Sequence, residues 1–363
     1  MNEVSVCMIV FNEEKHIEKS ISSVKPYVNE VIVVDHHSTD RTLQIAKDLG
    51  ARVISRDWGF HFAEARNYCI SLAKNPLILV MDADEEMVTS KEELEQSCII
   101  LENNPDSAAR IEIQSVTSPN TISTSWITRL FHNRPGHKYY GRIHEQLLYS
   151  GEEPKIVNSM IKFNHSGYLP DQINEKNKIN RNLELLLTDL KDSPDNAYLL
   201  FQIGRSYEIM QDWPSAIQYY SVAKEKIDYR SQYFSSLLYH MATTHMKSGR
   251  WSDFFEIVQQ ALNIYPDYTD LYYIYGCGLI ESRNPNWFNQ IPDAFHACIQ
   301  LGEADSKKYE TVIGVGSFRA HFNLGLYYEL SGLKDRAIHH YRISSEQGFD
   351  NAYQRLLVLT NKN

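Results

Sequence analysis

The sequence predicts an α/β domain on a mostly parallel sheet over residues 1–185, followed by an all-α helical repeat domain over residues 186–363. Three observations carry this. In the first half, short runs of wholly apolar residues alternate with stretches of helical periodicity. Acidic or polar residues stand at the end of each run. In the second half the apolar runs stop, and helix follows helix with Pro and Gly between them.

The elements follow in order. Val4–Phe11 is a continuous apolar run, the pattern of a strand covered on both faces. Asn12-Glu13-Glu14 breaks it, and Lys15–Val24 has helical spacing. Glu30–Asp35 is a second buried strand. Ser38-Thr39-Asp40 reads as the cap of a helix over Arg41–Leu49, which Gly50 stops. Ala51–Ser55 is a short third strand, Ala63–Ala73 a helix, and Leu77–Met81 a fourth strand ending in Asp82-Ala83-Asp84. Repeated βα units place helices on both faces of the sheet, and ligands of such sheets bind beyond the C-terminal strand ends. Residues 107–165 are rich in β-branched and aromatic residues and should add antiparallel strands and long loops at that edge.

Composition narrows the function. With 43% hydrophobic and 23% charged residues the chain can bury two cores. A net charge of −10 disfavours holding a nucleic acid by charge, though one nucleotide can be held through a metal ion. No apolar run is long enough for a membrane span, and the N-terminal sequence reads as a strand rather than a signal peptide. Cys7, Cys69, Cys98, Cys277 and Cys298 are widely spaced with no CxxC, so a zinc site or disulfide framework is not expected, and a cytoplasmic location is.

The second half contains recurring small and aromatic positions. Ile203-Gly204-x-x-Tyr207 precedes Ala216, Tyr220 and Ala223; Leu324-Gly325-x-x-Tyr328 precedes Gly332, Ala337 and Tyr341. This resembles the tetratricopeptide repeat, with units at about 197–228, 235–266 and 318–348. A further unit around Tyr275-Gly276 and Ala294 needs an insertion, which Asn284-Pro-Asn-Trp supplies. The tyrosine pairs read as repeat packing, and Ile313-Gly314-Val-Gly316 as a connection, since it lacks the lysine of a phosphate loop. Such arrays present a concave surface suited to peptides; a generic helical bundle is the alternative.

The chemistry concentrates at the strand ends. Alternate residues of an extended segment point the same way, so Asp82 and Asp84 can face one ligand, and two carboxylates suit a hard cation bearing a diphosphate. Acids also follow strands as plain solvated turns. Asp35 can accept from a base or ribose, while Ser38 and Asp40 can equally be helix caps. His36-His37 has no partner at metal spacing and reads as loop packing.

Together, Ile9-Val-Phe-Asn12-Glu13-Glu, Val33-Val34-Asp35-x-x-Ser38-Thr39-Asp40, Trp58-x-x-x-Phe62-x-x-Ala65-Arg66-Asn67 and Met81-Asp82-Ala83-Asp84-Glu85 resemble the family 2 glycosyltransferases of GT-A fold, over roughly residues 3–185. Arg142-Ile143-His144-Glu145-Gln146 and His165-x-Gly167-Tyr168 are similar to a subgroup with C-terminal tetratricopeptide-like helices, which includes enzymes that glycosylate bacteriocin peptides on cysteine or serine. The resemblance implies an inverting transferase that uses a nucleotide sugar, a UDP-hexose such as UDP-glucose, with Mg²⁺ or Mn²⁺. It implies that Phe11, Asn12, Glu13, Asp35 and Ser38 hold the base and ribose, and that Asp82 and Ala83 line the ribose or donor sugar. Asp84 would ligate the metal, with Asp82 beside it and His165 completing the shell, unless His165 is a satisfied strand-end histidine. Arg66 would contact the diphosphate or the acidic cluster, or form a structural salt bridge. An inverting transferase needs a base; Glu145 is the candidate and His144 the competitor, next to the aromatic stretch Tyr139-Tyr140, with a charged surface loop as the bland alternative.

The acceptor is expected to be a peptide or a glycan, and the repeats to bind it, to form a homodimer, or both. Two rivals stand beside this reading. One is an interaction scaffold with a degenerate transferase domain. The other is a sugar nucleotidyltransferase, which Asn12-Glu13-Glu14 disfavours by its charge.

Overall fold

The computed structural model describes residues 3–118, 121–165 and 172–360. The chain divides into two compact units, Met1–Ser193 and Pro194–Asn363. The Gly167-Tyr168 motif lies outside the described residues.

In the first unit the elements run β1 (Val4–Val10), α1 (Ile17–Val24), β2 (Glu30–Asp35), α2 (Thr42–Asp48), β3 (Arg52–Ser55), α3 (Phe62–Ser71), β4 (Leu77–Val80), β5 (Glu85–Met87), α4 (Lys91–Glu102), β6 (Ser107–Ser118), β7 (Thr121–His132), β8 (His137–Tyr140), β9 (Gln146–Tyr149), β10 (Lys155–His165) and α5 (Gln172–Asp192). The main sheet has the order β3-β2-β1-β4-β7-β6-β10-β5. Its first part, β3-β2-β1-β4, is wholly parallel, as the βα alternation requires. The remainder is mixed: the β6–β7 hairpin inserts antiparallel to β4, while β10 runs parallel to β6 and antiparallel to β5. β8 and β9 form a separate ribbon.

The continuous apolar runs are buried on both faces, which is why they read as unbroken rather than alternating. Along β1, Val4, Val6, Met8 and Val10 face a core with Ile17 and Ile21 of α1 and Leu94 of α4. Cys7 and Ile9 face the other core, with Ala65 and Cys69 of α3. Helix α4, unread in the sequence, starts at a capping box: Ser90 Oγ accepts from Glu93 N at 3.2 Å, and the Glu93 carboxylate accepts from Ser90 N at 2.9 Å.

The second unit stacks helix pairs: α6 (Ala197–Ile209) with α7 (Trp213–Lys226), α8 (Phe234–Lys247) with α9 (Trp251–Ile264), α10 (Thr269–Glu281) with α11 (Ile291–Leu301), and α12 (Phe318–Leu330) with α13 (Lys334–Glu346). Helix α14 (Asp350–Thr360) packs on α13. A 3₁₀ turn, Pro285–Gln290, is the insertion between α10 and α11. The small–aromatic spacing has a direct cause. A Cβ on Gly204 would lie 2.5 Å from the Tyr220 ring, one on Gly276 2.7 Å from Phe295, and one on Gly325 2.5 Å from Tyr341. Each ring fills the space its glycine leaves, and Tyr220 and Tyr341 are fully buried. The Gly314–Gly316 stretch is a connection; at Gly316 the backbone passes so close to Gly302 that a Cβ would clash at 2.1 Å.

Gly204→Ala should therefore destabilise the second unit by about 1–3 kcal/mol, the usual cost of overpacking. Urea denaturation followed on that unit measures it; an unchanged midpoint would show that Tyr220 moves aside freely.

Candidate active site

Two loops, at the ends of β1 and β2, fasten to each other. Asn12 N donates to Ser38 Oγ (2.8 Å), and Asn12 Oδ1 accepts from Thr39 N (2.8 Å). Glu13 N donates to Thr42 Oγ1 (2.7 Å), Glu14 N to Asp40 Oδ2 (3.1 Å), and Arg41 N to Glu14 Oε2 (3.1 Å). Asn12 has φ +56°, a left-handed conformation that Asn tolerates better than most residues. The N-cap position of α2 is Arg41, which gives no side-chain cap; Asp40 Oδ1 accepts from Thr42 N at 2.9 Å just before it, and Ser38 is occupied by the Asn12 amide. Asp35, fully buried at the end of β2, accepts from Ser38 N at 3.1 and 3.3 Å.

Beside this clasp lies an aromatic cluster. His36 stacks on Trp58 with ring centroids 4.5 Å apart. Phe60 meets His36 edge-on at 4.6 Å and Phe11 at 5.9 Å. Phe11 is exposed, leaving an apolar face at the end of β1. His36 thus packs in the loop, as its lack of a metal-spaced partner suggested.

The acids after β4 do not share one role. Asp82 Oδ1 accepts from Arg66 Nη2 of α3 at 2.7 Å, and its Oδ2 from Arg129 Nη2 of β7 at 2.6 Å. Burial pushes the Asp82 carboxyl up, but Arg129 and Arg66 outweigh it and hold it well below the usual carboxylate range. Arg66 Nε also donates to Glu145 Oε1. Of the readings left open for Arg66, the structure shows the ion pair with the acidic cluster. Glu85, nearly fully buried, accepts from Asp82 N at 2.8 Å. Burial and the Asp82 charge push its carboxyl up to about 7, against the pull of Arg129. Ala83 is buried in the core, so its side chain takes no part in the open site.

Asp84 instead meets His165: Nε2 lies 3.1 Å from Oδ2. The register explains this, since β10 pairs His165 with Glu85, next to Asp84, and with Ser115 of β6. Both side chains are about one-fifth exposed. Burial lowers the imidazole's affinity for protons, but the hydrogen bond and charge of Asp84 outweigh it and raise the pKa. A carboxylate and an imidazole open to solvent fit a divalent ion whose other positions go to phosphate oxygens and water. Among the described residues no group of three or more His, Cys, Asp and Glu side chains is placed to hold a metal ion. Both Asp82 oxygens are engaged by arginines, so the structure does not bring Asp82 and Asp84 onto one point as the sequence reading expected. Glu13 is near: burial and the Asp84 charge push its carboxyl up to about 7, against Lys178 of α5.

The loop after β8 is pinned from two sides. Arg142 N donates to Asp189 Oδ2 of α5 at 2.7 Å, and Arg142 O accepts from Phe62 N at 2.8 Å. Glu145 lies inward on Arg66, its side chain 9% exposed, while His144 is exposed with φ +50°. Of the neighbouring tyrosines, Tyr139 is buried and Tyr140 exposed. Sequence reasoning missed Arg129 and Asp189, and it quoted Glu85 in a motif without giving it a role. Arg129 had a signal, a lone arginine inside the apolar run Trp126-Ile-Thr-Arg129-Leu-Phe; Asp189 had none.

The sheet thus gathers acids, two arginines and an aromatic cluster at the ends of its parallel strands. Residues 5–142 match the glycosyl transferase family 2 model, and the helix pairs that follow are arranged like tetratricopeptide repeats. The chain is 30% identical over 69% of its length to a TPR repeat-containing protein of Synechococcus elongatus, spanning 63% of that protein. It is 32% identical over 58% of its length to the SPbeta prophage-derived glycosyltransferase SunS of Bacillus subtilis, spanning 51% of it. The chain thus spans less than two thirds of either relative. Among solved structures, MamA aligns with 50% of this chain and 96% of its own at 20% identity and a TM-score of 0.39.

The Glu13 carboxyl, raised from 4.5 to about 7, makes a prediction for stability. Between those values the folded chain holds a proton that the unfolded chain has lost, so this group's contribution declines as pH rises from about 4.5 to about 7 and then levels off. Glu13→Gln should flatten that part of the stability–pH curve, measured by urea denaturation between pH 5 and about 8. A curve of unchanged slope would contradict the raised pKa.

Proposed function

We propose that the protein is a metal-dependent, inverting glycosyltransferase that moves a hexose from a UDP-linked donor to an acceptor, either a peptide Ser, Thr or Cys or a glycan. The observation that carries this is the gathering of Asp35, Asp82, Asp84 and Glu13 at adjacent strand ends in a family 2 domain, with Asp84 and His165 left facing each other at 3.1 Å. In this reading Asp84 and His165 hold a Mg²⁺ or Mn²⁺ ion. Bound there, such an ion stabilises the negative charge on the departing diphosphate as a Lewis acid. Phe11 faces the base from the end of β1, and Asp35, buried beneath at the end of β2, holds the Ser38 amide of the loop that meets the ribose. Asp82, fixed by its two arginines, lies beside the donor sugar.

Glu145 is the proposed base. The acceptor's oxygen or sulfur attacks the anomeric carbon, the bond to the diphosphate oxygen breaks, and the acceptor's proton passes to the Glu145 carboxylate. The Arg66 guanidinium orients that carboxylate. His144, exposed on the adjacent position, is the competing base. In this reading the helical repeats take up the acceptor, and a homodimer through them is a second use of the same surface.

The test is donor hydrolysis with Mn²⁺ present, assayed for each UDP-sugar. Asp84→Ala should abolish both turnover and metal-dependent nucleotide binding. Glu145→Gln should lower the rate roughly 10²–10⁴-fold with donor affinity retained. If the wild-type chain binds no nucleotide with or without metal, the domain is a scaffold and the enzymatic reading falls.

A further inference from the structure

Helix α5 lies beyond the residues matched by the family model, yet its side chains reach Phe60, Phe62 and Arg142 in and beside the loops that follow β3 and β8. Arg181 Cζ lies 4.9 Å from the Phe60 ring centroid and 5.7 Å from that of Phe62. Phe60 is the ring that touches both His36 and Phe11, so Arg181 caps the aromatic shelf at the end of β1. Two turns further on, Asp189 accepts from the Arg142 amide at 2.7 Å. Positions three and four apart share a helix face. Lys178, one turn before Arg181, therefore shares the face that carries Arg181 and Asp189, on the side towards Glu13.

The chemistry of that face is unusual for its surroundings. Arg181 pairs with no carboxylate among the described residues; its guanidinium donates to the amide oxygen of its neighbour Asn182 at 2.9 and 3.2 Å. It is partly buried, and burial lowers its pKa with no acid to offset the loss. A desolvated cation with a neutral partner is costly unless a ligand supplies acceptors. Lys178 is exposed beside the acids of the site. A nucleoside diphosphate brought to Glu13 and Asp84 meets like charge there and needs cations beyond a single metal ion.

We propose that α5 forms a wall of the donor site, with Lys178 contacting the diphosphate and Arg181 donating to the acceptor edge of the base. This rests on the donor reading above. Because Arg181 only donates, it favours a base with carbonyl oxygens on its edge: uracil offers two, whereas cytosine replaces one with an amino donor. The helix thus contributes both affinity and base selection from outside the matched domain.

The test uses the full chain with Mn²⁺ fixed, and titrates UDP, UMP and CDP by calorimetry. Lys178→Met should weaken UDP by about tenfold, the scale of one charge-assisted hydrogen bond, and UMP by less. Arg181→Met should weaken UDP and UMP alike and erase the preference for UDP over CDP, with Arg181→Lys recovering affinity in part. Melting curves for each variant check that the fold is intact. If both methionine variants bind all three nucleotides as the wild type does, while Asp84→Ala does not, α5 is a bystander and the donor reading stands. If the wild type itself binds none of them, the donor reading fails and this inference with it.

Discussion

One carboxylate, that of Asp82, ties the first unit's site together. It receives a guanidinium on each oxygen, Arg66 from α3 and Arg129 from β7, and so joins a helix, the end of a central strand and an inserted hairpin. Both arginine side chains are less than one-tenth exposed. Removing one partner of such a buried group strands the others, which is why loss of one member is costly even where the net worth of the pair is small. Glu145 is reached through the same Arg66, so the geometry of the proposed base depends on Asp82 at one remove.

This arrangement separates two acids that the sequence presents as a matched pair. Asp82 is bound by cations of the protein and stays ionised; Asp84, across one small buried residue, keeps its carboxylate on an imidazole near solvent. The β5–β10 pairing that places His165 there comes from a strand contributed some eighty residues later in the chain, a non-local contact that no local pattern announces.

What was legible follows from this. The buried strands β1, β2 and β4 are continuous apolar runs, and a strand covered on both faces leaves just that trace. The repeats were legible because glycine–aromatic complementarity imposes a fixed spacing, as at Gly204 and Tyr220. The chemistry at the strand ends was legible as residue type, since Asn12, Asp35 and Asp84 occupy motifs. Partnership was not. That Arg129 lies on Asp82, that Ser38 serves Asn12 rather than a helix end, and that Asp189 holds Arg142 are facts of tertiary register. Read along the chain, Arg142 and Asp189 look like ordinary charged surface residues, and Arg129, inside an apolar run, hints at burial but not at its partner. The short β5 was hidden for a related reason: its Glu85-Glu86 has low strand propensity, and only pairing with β10 makes it extended.

The clasp between the β1 and β2 loops has a consequence for recognition. Its amides and side-chain oxygens are satisfied by each other, through Asn12, Ser38, Thr39 and Asp40, before anything binds. In the proposed donor reading, a nucleoside would meet loops already fastened to each other, and little ordering entropy would be lost on binding. Selectivity there would come from shape held in advance, so that close analogues would be turned away by misfit instead of being accommodated.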